Sequence, residues 1–495
     1  MTDVGLLSPG AHRGAARTDD TAVLQALLDV EAAWVGAQSA AGLAPAEAAD
    51  AARRAARAGD YDAADLARRA EDGGNPVIPL LADYRRRLGE LDPAAVRWVH
   101  RGLTSQDVMD TAMMLVLHRS AEPLARDLAA AQGALAALAD AHRATVQTAR
   151  TLTQHALPTT FGLKASSWLA GLQDLDGDLA ELRRLPVSYG GAAGSLAASL
   201  ALFPDAPDAA ERAIGLAGHW ADELGLALPP HVWHTTRRPV LRTAGTLAAV
   251  CAALGRIAND VLLLARPELG ELREPAAEGR GVSSAMPQKQ NPVLSVLLKR
   301  TALSAPQLLA QVHLAAGQYV DERPDGAWHA EWAALRELAR LAVAASSHAA
   351  ELAQGLVVDP ARMRANLDAS GPAVLAERIG AALAPLVPRA GGATGKQQVQ
   401  DAVREHATDR DGMVSALLAL AAGAVRPDGT PVDEAFVAGL LDPAGYLGAN
   451  GLLIDRALER ARRSANDRSA AETTARASDE TSTPTSAPTR SRSTA

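Results

Sequence analysis

Aromatic residues are scarce in this chain, with three Phe, five Tyr and seven Trp among 495 residues. Strands draw on aromatic and β-branched side chains, whereas Ala and Leu, which dominate here, lead the helix scale. A fold built mainly of sheet is excluded, and an all-α class is expected. Cysteine is reduced to the single Cys251. That rules out an internal disulfide, fits a reducing compartment, and leaves a small buried hydrophobe as the expected role of this residue. Excess positive charge is missing too: the formal net charge is −8, without the basic stripe that a nucleic-acid partner needs. No uninterrupted apolar run reaches the ~18 residues of a membrane span. Met1 to Gly14 carry no cationic stretch followed by an apolar run. A soluble cytoplasmic protein is expected, with neither nucleic acid nor membrane as partner. A phosphate-binding glycine loop, a His-Glu-x-x-His pair and a spaced Cys set are all absent from the sequence, so a nucleotide or a catalytic metal has no support.

What is present is helical periodicity. Leu24, Leu27, Leu28, Glu31 and Trp34 mark a first helix between Asp20 and Gly42, and Gly73-Gly74-Asn75-Pro76 breaks the pattern that follows. In the central third, Leu124, Leu128, Ala131, Leu135, Leu138 and His142 recur at steps of three and four. So do Leu247, Cys251, Leu254, Ile257, Val261 and Leu264. Alternating steps of this kind are the seam of long, nearly parallel packed helices. From Val357 the pattern shortens into smaller helices separated by Gly391-Gly392 and Pro427-Asp-Gly-Thr-Pro431, and after about Arg463 apolar periodicity ends. The expected division is an N-terminal helical domain over 1–111, a central long-helix bundle over 112–356, a C-terminal helical domain over 357–464, and a disordered tail over 465–495 that lacks the apolar surface to offset its ordering entropy.

Four segments carry chemistry. Gly279-Arg-Gly-Val-Ser-Ser-Ala-Met-Pro-Gln-Lys-Gln-Asn-Pro292 sets Ser283, Lys289 and Asn291 on a Gly- and Pro-punctuated segment between two long helical patterns. A serine acting as a base needs a cation and backbone N–H groups to hold its alkoxide, and a loop can supply both. In His100-Arg-Gly-Leu-Thr-Ser-Gln-Asp-Val-Met-Asp-Thr111, Thr104 and Ser105 stand at a turn before a helix. There they either grip a carboxylate or simply cap the helix. Arg150-Thr-Leu-Thr-Gln-His-Ala-Leu-Pro-Thr-Thr160 offers Thr151, Gln154 and His155; the histidine reads equally as a structural or a proton-transferring residue. Leu185-Pro-Val-Ser-Tyr-Gly-Gly-Ala-Ala-Gly-Ser-Leu196 has glycines that allow close backbone approach.

Together these segments resemble the fumarase/aspartase superfamily, whose signature loop reads Ser-Ser-x-Met-Pro-x-Lys-x-Asn-Pro, and within it the 3-carboxy-cis,cis-muconate cycloisomerase branch. The resemblance runs from the first helix to about residue 463. It departs at Leu152, where superfamily members carry the histidine of a Thr-His pair, and at Val282 and Gln288, where the branch usually has Gly and His. It implies three helical domains with a central bundle assembling into a homotetramer with shared active sites, a small polycarboxylate substrate and no cofactor. By the same resemblance, Ser283 is the catalytic acid/base and His155 the candidate for the second such role. Lys289, Asn291, Thr104, Ser105, Thr151, Gln154, Ser284 and Met286 would bind substrate. The implied reaction is lactone formation from 3-carboxy-cis,cis-muconate. The alternative is a fumarate-releasing β-elimination on another substituted succinate, as in adenylosuccinate lyases. A catalytically silent structural relative is disfavoured by the intact Ser283, Lys289 and Asn291. His329 and Glu331 are expected to serve core packing and a carboxylate hydrogen bond.

Overall fold

The computed structural model describes residues 5–481 and is predominantly helical with only small sheets, in agreement with the all-α expectation. The described residues fall into two compact units, one within 1–134 and 174–359, the other within 135–173 and 360–495. The helix Ser105–Ala141 runs unbroken across position 111, where a domain boundary was expected.

The core of the first unit is a set of three packed helices, Arg238–Leu264, Val293–Ala316 and Gly326–Gly355. The predicted seam on the first of these is buried at Leu247, Cys251, Leu254, Ile257, Val261 and Leu264. Each fully buried Leu on such a seam contributes roughly 1.5–3 kcal/mol. Small residues set the spacing: a Cβ added at Gly255 would lie 2.2 Å from Ala302 Cβ on the next helix. By length and composition Arg238–Leu264 could cross a membrane; here its apolar face packs on the neighbouring helices instead. Cys251 is the buried small hydrophobe expected of it, and burial pushes its thiol up to about 12.

The first predicted helix forms as Asp20–Ala40, started by the Asp19 side chain, which accepts from Ala22 N. Trp34 stacks edge-on against Trp220 at 5.2 Å and lies 5.4 Å from Tyr189, while its indole N–H donates to Arg101 O. Three of the chain's few aromatics thus pack against one another at buried positions, where large rings contribute most area. Glu331 is buried as expected and bonds Arg237. His329, however, is exposed and sits within hydrogen-bond distance of the Gly74 and Asp325 carbonyls rather than in a core.

The second unit contains a feature that periodicity did not predict. Strand Val146–Thr151 pairs antiparallel with Gln154–Thr160. Five of the fifteen residues from 146 to 160 are Thr, and β-branched side chains favour the extended backbone. Shorter helices, among them Ala376–Leu383, Gly395–Glu405 and Arg410–Leu420, enclose a core of Leu375, Ile379, Leu383, Val399, Met413, Leu417 and Val437. The Gly391-Gly392 and Pro427–Pro431 breaks are tight reversals, each closed by a single antiparallel bridge. The last helix, Asn450–Thr481, continues past the expected start of the tail. Ala, Glu and Arg in 465–481 are good helix formers, and extending an existing helix avoids the cost of nucleation. Residues 482–495 of the expected tail lie outside the described residues.

Candidate active site

The 279–292 loop enters the Val293–Ala316 helix and is tied at its base. Asn291 N and Nδ2 both donate to Gly281 O, at 2.8 and 3.0 Å, and Val282 bridges Gln290 across the neck. Gly281 has φ +69°, and a Cβ there would sit 2.4 Å from Asn291 O, so only glycine fits this neck. Glu274 accepts from Leu294 N and Ser295 N, at 3.0 and 2.7 Å, and caps the helix that the loop leads into.

Ser283 is half-buried at the head of the loop. Its Oγ accepts from Met286 N at 3.1 Å and Ala285 N at 3.4 Å. Two backbone dipoles therefore aim at the atom that would carry negative charge if the hydroxyl lost its proton. Ser284, Met286 and Lys289 are exposed on the same loop, and among the described residues the Lys289 ammonium has no ion pair. Asn291 is half-buried at the foot of the loop, where its amide NH₂ also holds the neck.

Thr104 is buried, and Ser105 opens the Ser105–Ala141 helix. Asp107 organises this helix start. Its Oδ2 accepts from Thr104 N at 2.9 Å and Gly191 N at 3.0 Å, and its Oδ1 from Gly190 N at 2.8 Å, with His234 Nε2 2.7 Å away. The glycine-rich 185–196 segment is thereby fastened to the Thr104 turn. A Cβ at Gly190 would lie 2.7 Å from His234 Cε1, which explains why the segment needs glycine there. One turn along the helix, Asp110 receives Arg237 Nη1 and Nη2 at 2.7 and 3.0 Å and Trp328 Nε1 at 2.9 Å, and Arg237 also bonds Glu331. Burial works against the Arg237 cation, but Asp110 and Glu331 overcome it and hold it protonated. Burial also raises the Glu331 carboxyl, with Arg237 pulling in the opposite sense.

Arg323 Nη2 donates to Ser105 Oγ at 3.3 Å, while its buried Nε has no partner among the described residues. The sequence motifs did not single out Arg323, Asp107, His234 or Arg237. Asp107 lies inside a quoted motif, but apart from Thr104 its partners are 83 to 127 residues away, and no local spacing announces them. No hydrogen bond among the described residues joins the 279–292 loop to Thr104 or Ser105.

Thr151, Gln154 and His155 belong to the second unit, at the tip of the hairpin, and all three are exposed. Thr151 pairs with Gln154 across a two-residue turn whose members, Leu152 and Thr153, have φ +48° and +71°. Positive φ at both positions is the type I′ geometry that matches strand twist and normally calls for Asn-Gly. His155 Nδ1 lies 2.5 Å from Ser370 Oγ.

A family model described as "Lyase" matches residues 17–305. The chain is 44% identical over 475 residues to a nitrosuccinate lyase of Streptomyces davaonensis, covering 95% of this chain and 98% of that one. It is 39% identical over 457 residues to a 3-carboxy-cis,cis-muconate cycloisomerase of Bradyrhizobium diazoefficiens, covering 92% and 96%. Its structure matches the 3-carboxy-cis,cis-muconate lactonizing enzyme from Pseudomonas putida with a TM-score of 0.79 at 33% identity, over 91% of this chain and 97% of that one.

Proposed function

This chain belongs to the lyase family of the fumarase/aspartase superfamily and is an enzyme of it, and from that premise we propose that it is a cycloisomerase closing 3-carboxy-cis,cis-muconate to its carboxy-muconolactone. A substrate carboxylate oxygen adds to a C=C bond, and the electron pair passes to the carbon α to another carboxylate, which is drawn out as the dianionic aci form. Ser283 gives its proton to that carbon, and the alkoxide left behind rests on the Ala285 and Met286 N–H groups until solvent reprotonates it. In reverse, Ser283 is the base. Lys289 and Asn291 stabilise the dianion, Asn291 also keeping the loop shaped for it, with Ser284 and Met286 beside the substrate. Thr104, Ser105, Thr151 and Gln154 hold the remaining carboxylates, and Arg323 adds a cation beside Ser105. His155 is the second acid/base or orients the attacking carboxylate. The substrate carries its own electron sink, so no cofactor takes part.

The observation that supports this reading most is the pair of backbone N–H groups converging on Ser283 Oγ. Three residue groups on separate loops fit the expected three-domain homotetramer with shared sites, in the cytoplasm. A second reading rests on the 44% identity to a nitrosuccinate lyase: the same serine removes the proton α to a carboxylate, the C–N bond breaks, and nitrite and a fumarate leave. Ultraviolet absorbance distinguishes the two. The cycloisomerase reading predicts loss of the conjugated-diene band of 3-carboxy-cis,cis-muconate; an unchanged band together with nitrite release from nitrosuccinate would replace it with the lyase reading.

A further inference from the structure

His155 is the second residue of strand Gln154–Thr160, and its ring projects from an exposed position. An imidazole so placed can transfer a proton usefully only if one nitrogen is fixed and the other is presented. The fixing partner here is a hydroxyl. Ser370 follows the helix Pro360–Asp368, and its Oγ lies 2.5 Å from His155 Nδ1 and 3.2 Å from Asn366 O. The nearby carboxylate on that helix, Asp368, is engaged by Arg364 Nε at 2.9 Å to each oxygen.

Serine has one proton to donate and can also accept. Both short contacts of Ser370 are hydrogen bonds in only one arrangement: Oγ–H donates to Asn366 O, and Nδ1–H of His155 donates to Oγ. In the other tautomer the serine proton would have to turn to Nδ1, and the contact with Asn366 O would be lost. We propose that Ser370 is a positioning residue that holds His155 in the Nδ1–H tautomer, presenting the Nε2 lone pair outward. The functional part of this assignment rests on the acid/base role proposed above for His155. When Nε2 takes a proton, Nδ1–H still donates to Ser370, so the ring gains and loses its proton without losing its anchor. A hydroxyl supplies this orientation without placing a second charge beside the ring.

The test is long-range ¹H–¹⁵N correlation on full-length protein with ¹⁵N-labelled histidine, the His155 signals being assigned by their loss in His155→Gln. The expected result is a pyrrole-like, protonated Nδ1 and a pyridine-like Nε2 in the neutral ring. Ser370→Ala should move both signals toward the averaged values of mixed tautomers, and Ser370→Thr, which keeps the hydroxyl, should restore them. A protonated Nε2 in the unsubstituted protein, or signals indifferent to Ser370→Ala, would overturn the proposal. Turnover then tests the reading beneath it. Ser370→Ala should lower kcat roughly tenfold, a small part of the ~10²–10⁴ that acid–base catalysis supplies, with KM little changed and Ser370→Thr recovering the rate. If the tautomer behaves as expected but His155→Gln turns over normally, the anchoring stands and the catalytic role of His155 falls.

Discussion

Two regions of the first unit are built in opposite ways. At the start of the Ser105–Ala141 helix, Asp107, Asp110, Arg237, His234 and Glu331 are buried and bonded to one another or to backbone N–H groups. On the 279–292 loop, Ser284, Met286 and Lys289 face outward, and the internal bonds are those at the neck, those to Ser283 and one backbone turn from Lys289 N to Met286 O. Removing one member of a buried ion pair leaves the other charge uncompensated, so the first region fixes backbone position and tolerates little change. The second keeps its reactive groups uncommitted, so that the substrate can supply the missing partners. Stability and chemistry are thus assigned to different residues, and substitutions should separate them.

The largest separation is expected at Lys289. Lys289→Met should reduce kcat by the equivalent of about 2.7–4 kcal/mol of lost charge stabilisation, with an unaltered thermal midpoint, because the side chain is exposed on the loop. Comparing steady-state rates with calorimetry checks both halves. Asp107→Asn inverts the pattern. One amide NH₂ would face backbone N–H donors that a carboxylate oxygen now satisfies, and about 3 kcal/mol of stability should be lost in urea unfolding. Equal stability of the variant would show that this buried layer is not the clamp described.

A pH titration extends the comparison to His348, which is buried on the Gly326–Gly355 helix and whose pKa is lowered from 6.5 to about 4, first by burial and then by Arg13. The unfolded chain binds the proton more readily than the folded one. This contribution is therefore fully present above about pH 6.5, declines as pH falls, and is gone below about pH 4, for a total of ~3 kcal/mol. Unfolding free energies measured between pH 4 and 7 should show this slope, and His348→Leu should flatten it. The smallest effect concerns the hairpin turn. Replacing Leu152-Thr153 by Asn-Gly should stabilise the protein by ~1 kcal/mol, since neither native residue favours positive φ; an unchanged midpoint would mean the turn is not strained.

The loop was legible in the sequence because its residues lie within fourteen positions of one another, and the helices because their apolar steps are local. The 146–160 hairpin was less so, since a two-strand ribbon is too short to outweigh the helical patterns on either side. Asp107 and Arg323 could not have been singled out, because what gives them a role is packing against distant residues. Asn291 shows the opposite limit: its motif marks it as important, but only the geometry reveals that its amide closes the loop.

The central claim is that Ser283 carries the proton transfer. The direct measurement is turnover of 3-carboxy-cis,cis-muconate and of nitrosuccinate by the unsubstituted enzyme and by Ser283→Ala, with circular dichroism confirming equal folding. Whichever substrate is consumed, its turnover should fall by ~10²–10⁴ in the variant. Undiminished turnover by Ser283→Ala would contradict it.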